Sequence, residues 1–168
     1  MKVKIGLIVG IVVMLTLVSE GAGFANDSKD ERKTLKGIRG VLVSVNLKPQ
    51  IKKFGLTKQK ITTFVELKLK SAGLKILTKE EWHNEKGMPL LYVNASILEN
   101  AKCNIYNYHI SISLNQEVIL VRTDNKALCI TWSTRAAGTN ASLYVIRKRI
   151  KDMVDIFINA YLSVNPKK

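Results

Sequence analysis

The residues between Ile105 and Val121 leave the chain little choice of fold. Tyr106, Tyr108, Ile110, Ile112, Leu114, Val118 and Leu120 share one parity, while Asn107, His109, Ser111, Ser113, Asn115 and Glu117 share the other. Side chains alternate faces along a β-strand, so a two-residue period held this long predicts one long strand with an apolar and a polar face. A sheet built around it leaves one face to water and needs helices on the other.

The neighbouring segments fit that sheet. Leu90 to Leu98 alternates with Leu91, Val93, Ala95 and Ile97 on one face, and Glu99-Asn100-Ala101-Lys102 turns the chain into the long strand. Thr123-Asp124-Asn125-Lys126 makes the next turn, and Ala127 to Thr134 returns with Leu128, Ile130 and Trp132 on its inner face. Arg135 to Asn140, which contains Gly138, is expected to be a loop. The three strands form an antiparallel meander.

Upstream, Val41, Val43, Val45 and Leu47 alternate with Ser44 and Asn46 in a further strand that Pro49 helps to end. Thr57 as N-cap, Leu56 and Ile61 as a hydrophobic staple, and Gly73 as a left-handed stop bound a helix over Lys58 to Ala72. Lys68 falls inside its apolar arc of Ile61, Phe64, Val65, Leu69 and Ala72. The short run Leu74 to Leu77 completes a βαβ unit with parallel strands. Thr78-Lys79-Glu80-Glu81 is a capping box for one or two more helical turns. Asn140 or Ser142 then caps a last helix reaching about Val164, in which Ile146, Ile150, Met153, Phe157 and Tyr161 recur at helical spacing. The expected fold is α+β: a two-layer sandwich with a mixed sheet of about five strands and two main helices on one face.

The first 25 residues read as a secretory signal peptide. Met1-Lys2-Val3-Lys4 is positive, Ile5 to Val18 is an apolar run, and Gly23-Phe24-Ala25 supplies small residues at the two positions that a signal peptidase reads. Cleavage is expected after Ala25. A run of this length is shorter than the ~20 residues of a membrane-spanning helix, and an uncleaved leader anchored in the inner membrane is the alternative. No cysteine stands near the junction to carry a lipid. Residues 26–36, NDSKDERKTLK, are polar without apolar periodicity and are expected to be a mobile segment ahead of a single domain over 37–168. The expected destination is periplasmic or secreted.

Export permits a disulfide between Cys103 and Cys129, but the strand pattern sets them far apart, so free thiols are the simpler expectation. The leader holds two of the 27 basic and one of the 13 acidic residues, which leaves a net charge of +13 on the rest. Such a field favours phosphate-bearing surfaces. Arg147, Lys148, Arg149 and Lys151 are the candidate anion-binding residues, although Lys148 can pair with Asp152 one turn on.

Chemistry-bearing patterns are otherwise sparse. His83 and His109 stand in no metal-ligand spacing, no glycine-rich phosphate cradle occurs, and Gly37-Ile38-Arg39-Gly40 reads as a flexible lead-in to the first strand. Glu80 and Glu81 are explained by capping, and Tyr106 and Tyr108 by their core parity, whereas Tyr92 belongs to the polar parity of its strand. Asn94-Ala95-Ser96 and Asn140-Ala141-Ser142 match a glycosylation acceptor only in a eukaryotic secretory pathway. No catalytic, cofactor or metal residues and no small-molecule substrate are identified.

The stretches GLTKQKITTFVELKLKSAGLKIL, EEW at Glu80 to Trp82, LLYVN, QEVILVR, TWST and FINAYLSVNPK resemble a family of small exported bacterial proteins. That resemblance implies an exported bacterial protein of one α+β domain and supplies no catalytic residue. The order of elements is also similar to small domains of envelope assembly factors. The expected function is a non-enzymatic binding or assembly module of the bacterial cell envelope, meeting a partner by edge-strand pairing or through its basic surface. The alternatives are a basic domain for an anionic ligand (phospholipid, lipopolysaccharide or nucleic acid) and, further off, a small hydrolase.

Overall fold

The computed structural model describes residues 23–48, 55–140 and 142–166. The run Ile5 to Val18, Pro49 and Ala141 lie outside them. In chain order the elements are β1 (Gly23–Asn26), α1 (Lys29–Lys33), β2 (Gly40–Leu47), α2 (Lys58–Ser71), β3 (Lys75–Ile76), α3 (Lys79–Asn84), β4 (Leu90–Asn100), β5 (Ile105–Leu120), β6 (Asn125–Asn140) and α4 (Leu143–Val164). The fold is the expected α+β sandwich. Its sheet has six strands in the order β1-β6-β5-β4-β2-β3. It is mixed because β2 runs parallel to both β3 and β4, whereas β4, β5, β6 and β1 pair antiparallel.

Strand register turns the two-residue periods into rows of apolar side chains across the sheet. Val43, Leu91, Leu114 and Trp132 make one row, and Val45, Val93 and Ile112 the next, which the buried hydroxyl residue Thr134 completes. Val65 and Leu69 of α2, with Ile146, Ile150, Val154 and Phe157 of α4, join them in one core. Trp132 meets Phe157 edge to face, with centroids 5.1 Å apart, a geometry worth about 0.5–1.5 kcal/mol beyond the area buried. The opposite face carries polar rows such as Asn46, Asn94, Ser111 and Arg135, in which Asn46 Nδ2 donates to Asn94 Oδ1 at 3.1 Å.

Local signals place the helices. Thr57 Oγ1 accepts from the Lys60 amide at 3.2 Å, Leu56 and Ile61 are buried together, and Gly73 turns out of α2 at φ +91°. Lys68, anomalous in the apolar arc of α2, reaches across to Asp155 of α4 at 2.8 Å. The Thr78–Glu81 capping box on α3 forms in both directions. Ser142 precedes α4 without a side-chain cap bond, and its own amide donates to Asn140 Oδ1 at 2.7 Å.

Two expectations are corrected. Arg135 to Asn140 is no loop: it continues β6 and pairs with Tyr106 to Ser111 of β5. Gly138 is opposite Tyr108, whose ring covers it so closely that a Cβ there would come within 2.9 Å of Tyr108 Oη. A glycine that reads as a loop residue in isolation is here the space under an aromatic ring.

The second correction concerns residues 26–36, which dock on the domain. Ser28 and Glu31 cap α1 reciprocally, and Leu35 is fully buried in the core. Asp27 Oδ1 accepts from Trp132 Nε1 at 3.1 Å and from Arg32 Nε at 2.8 Å, while Arg32 Nη2 holds the other carboxylate oxygen. Further upstream, Gly23 to Asn26 pair with Ala136 to Ser133, so the expected cleavage after Ala25 falls inside β1.

Burial pushes the Asp27 carboxyl up, but hydrogen bonds from Arg32 and Trp132, with the Arg32 charge, hold it below its ordinary value. A carboxyl lowered by folding stabilises above its unfolded pKa of about 4 and loses that contribution as pH falls through its folded value. Asp27→Asn should cost about 1–3 kcal/mol in urea denaturation at pH 7, with the gap to the unsubstituted chain closing in acid. Gly138→Val should cost about 1–3 kcal/mol by displacing Tyr108, seen as a lower melting temperature, whereas a true loop position would tolerate it.

Candidate binding surfaces

The β5–β6 hairpin outruns the rest of the sheet. The pairing of β4 with β5 stops at Leu90 and Asn115, and Gln116 to Leu120 pair only with Cys129 to Asn125. The result is a two-stranded ribbon that projects roughly 17 Å at about 3.4 Å per residue. At its base the Glu117 amide donates to the Gly87 carbonyl at 2.7 Å.

A β-bulge separates ribbon from sheet. Leu114 pairs with Trp132 but Asn115 pairs with Ile130, so Thr131 is an extra residue in β6. Gln116 Nε2 donates to Thr131 Oγ1 at 2.7 Å and to the Thr34 carbonyl at 3.1 Å, and Thr34 Oγ1 donates to the Thr131 carbonyl at 3.2 Å. The bulge reverses the parity of β6. Trp132 stays in the core as expected, but Leu128 and Ile130, expected beside it, face the other side of the sheet and are 53% and 55% exposed. Sequence reasoning missed this because an extra residue leaves no mark on a period-two pattern read one strand at a time.

Apolar groups therefore line both faces of the ribbon. Ile119, Leu128 and Ile130 share one face, and Leu120 stands on the other, with Val121 95% exposed at the turn. Beyond them the tip is polar: Arg122, Asp124 and Lys126, the last paired with Glu117 at 3.0 Å. Plunging that tip into a bilayer would take each charged group into hydrocarbon at about 2.5–3.5 kcal/mol. An apolar groove on a protein can clasp the sides of the ribbon and leave the tip in water.

The basic side of α4 is a weaker candidate. Tyr144, Arg147, Lys148 and Lys151 line a small hollow of about 280 Å³ that does not include Arg149. Lys148 is paired with Asp152 at 3.2 Å, and the Lys151 ammonium sits 5.4 Å from the centroid of the Phe64 ring. Three of the four expected anion-binding residues meet in one place, and all three already have partners.

The other chemistry-bearing residues are dispersed. His83 Nδ1 lies 2.7 Å from the Lys79 carbonyl, within its own helix, and its ring stands edge-on to Trp82. His109 is exposed opposite Ser96 and Ala137. The Glu81 carboxyl is held low by Lys75 and by the Thr78 amide, as capping requires. Cys103 stands in the turn before β5 and Cys129 pairs with Gln116 near its far end, and both are free thiols. Trp82 Nε1 is buried without a hydrogen-bond partner. Among the described residues no three His, Cys, Asp or Glu side chains are grouped as a metal site would need, and no helix is long and apolar enough to cross a membrane. No protein-family model and no curated protein sequence matches the chain.

Proposed function

We propose that the chain is an exported, non-enzymatic binding or assembly module of the bacterial cell envelope, and that it grips a partner protein with the β5–β6 ribbon. One observation carries this reading. Of nine large apolar side chains exposed among the described residues, five lie on the ribbon: Ile119, Leu120, Val121, Leu128 and Ile130. Full burial of one such side chain is worth about 1.5–3 kcal/mol, so a partner that covers the cluster gains substantially.

Export would add a second contact. Cleavage after Ala25 removes Gly23, Phe24 and Ala25, the partners of Ala136, Arg135 and Thr134, and so frees backbone donors and acceptors on the outer edge of β6. A strand of the partner can replace them. The alternative of an anionic ligand, whether phospholipid, lipopolysaccharide or nucleic acid, draws on the net charge and on the hollow beside Arg147.

The test is affinity capture from native envelope extracts at low salt, with the unsubstituted chain beside the triple variant Ile119→Ser, Leu128→Ser, Ile130→Ser. One stoichiometric partner should be recovered with the former and lost with the latter, whose melting temperature should not fall because the substituted side chains are exposed. Recovery of the bare monomer, or of the same partner with the triple variant, would overturn the reading.

A further inference from the structure

At the foot of the ribbon, on a surface separate from its apolar flanks, three segments surround a cleft of about 460 Å³: the connection from α1 to β2, the connection from α3 to β4, and Gln116 of β5. We propose that this cleft binds a phosphomonoester dianion with an organic body, either a soluble phosphomonoester or the phosphomonoester headgroup of a lipid such as phosphatidic acid.

The charges point to that class. Lys36, Arg39 and Lys86 stand on its walls against a single carboxylate, Glu85, which leaves a net charge of +2. Arg39 is 82% exposed at its side chain and touches Glu85 only at 3.5 Å, a weak ion pair that an arriving phosphate can replace. No carboxylate among the described residues is within ion-pair distance of Lys36 or Lys86. Half-buried Ile38 and buried Pro89 supply an apolar floor, and the volume is that of a small-ligand site, several times the size of a phosphate.

The frame of the cleft is also preset. Lys36-Gly37 and Lys86-Gly87 repeat one device on its two sides, a lysine followed by a glycine in the left-handed region at φ +79° and +78°. The Gly37 amide donates to Asn165 Oδ1 at 2.8 Å, and Tyr161 Oη donates to the Ile38 carbonyl at 3.0 Å, so the end of α4 pins one wall. The Met88 amide bonds the Glu85 carbonyl at 2.9 Å, and Glu117 of β5 bonds Gly87, which pins the other. The backbone is held while the exposed cationic side chains can still close on a ligand, an arrangement that limits the ordering cost of binding. Read in sequence, Gly37-Ile38-Arg39-Gly40 had no visible partner; the fold brings it against Glu85 to Pro89, nearly fifty residues away.

The test titrates the full chain, labelled with ¹⁵N, with four probes: glycerol 3-phosphate, sodium sulfate, and vesicles of phosphatidylcholine with and without phosphatidic acid. Glycerol 3-phosphate or the phosphatidic acid vesicles should shift or broaden the Gly37 and Gly87 amides. A response to the soluble ester alone assigns the cleft to free phosphomonoesters, and a response to the charged vesicles alone assigns it to a headgroup. Lys36→Ala with Lys86→Ala should weaken binding about tenfold, Glu85→Gln should tighten it, and Lys148→Ala with Lys151→Ala should change it less than about twofold. The ribbon triple variant should bind as before, which separates failure here from failure of the proposed function. Silence of both amides up to about 10 mM of each soluble probe and with both vesicle types, an equal response to sulfate, or equal weakening by the two lysine pairs would overturn the proposal.

Discussion

The rest of the molecule depends on β5 being longer than the layer of helices that covers it. From Tyr108 to Leu114 its inward side chains sit in rows with those of β4 and β6 under α2 and α4, and each is fully or nearly fully buried. Beyond Asn115 the hydrogen-bonded ladder with β6 continues but no further strand flanks β5. A two-stranded ribbon in water is marginal by itself, so its base must be fastened. The bulge at Thr131, held by Gln116 and Thr34, is the fastening.

That fastening makes the N-terminal segment structural. Thr34 reaches the bulge, Leu35 fills the core beneath it, and Asp27 satisfies the indole N–H of the buried Trp132. An unpaired indole in that position would carry the cost of a buried donor without an acceptor. The short α1 is held by contacts distant in sequence more than by helix propensity, since five residues are far below what an isolated helix needs.

The ribbon and the cleft share their foundations. Gln116 fastens the bulge and lines the cleft, and Gly87 both accepts from Glu117 at the ribbon's base and bends one cleft wall. A ligand seated against Glu85 to Pro89 therefore rests on the same backbone that supports the ribbon.

The sequence by itself determined what depends on near neighbours. The period of two in β5 set its faces, Thr57 with Gly73 set the limits of α2 and Thr78 with Glu81 the start of α3, and the spacing of Ile146, Ile150, Met153 and Phe157 set the buried side of α4. Each signal spans only a few residues, the range over which backbone geometry couples side chains. Tertiary structure decided the rest: the strand through Gly138, legible only with Tyr108 above it; the parity switch that turns Leu128 and Ile130 outward; the docking of Asp27 on Trp132; and the meeting of Lys36 with Lys86. The partners in these contacts are 11 to 105 positions apart, and no local period records which segment will lie beside a residue once the chain has closed on itself.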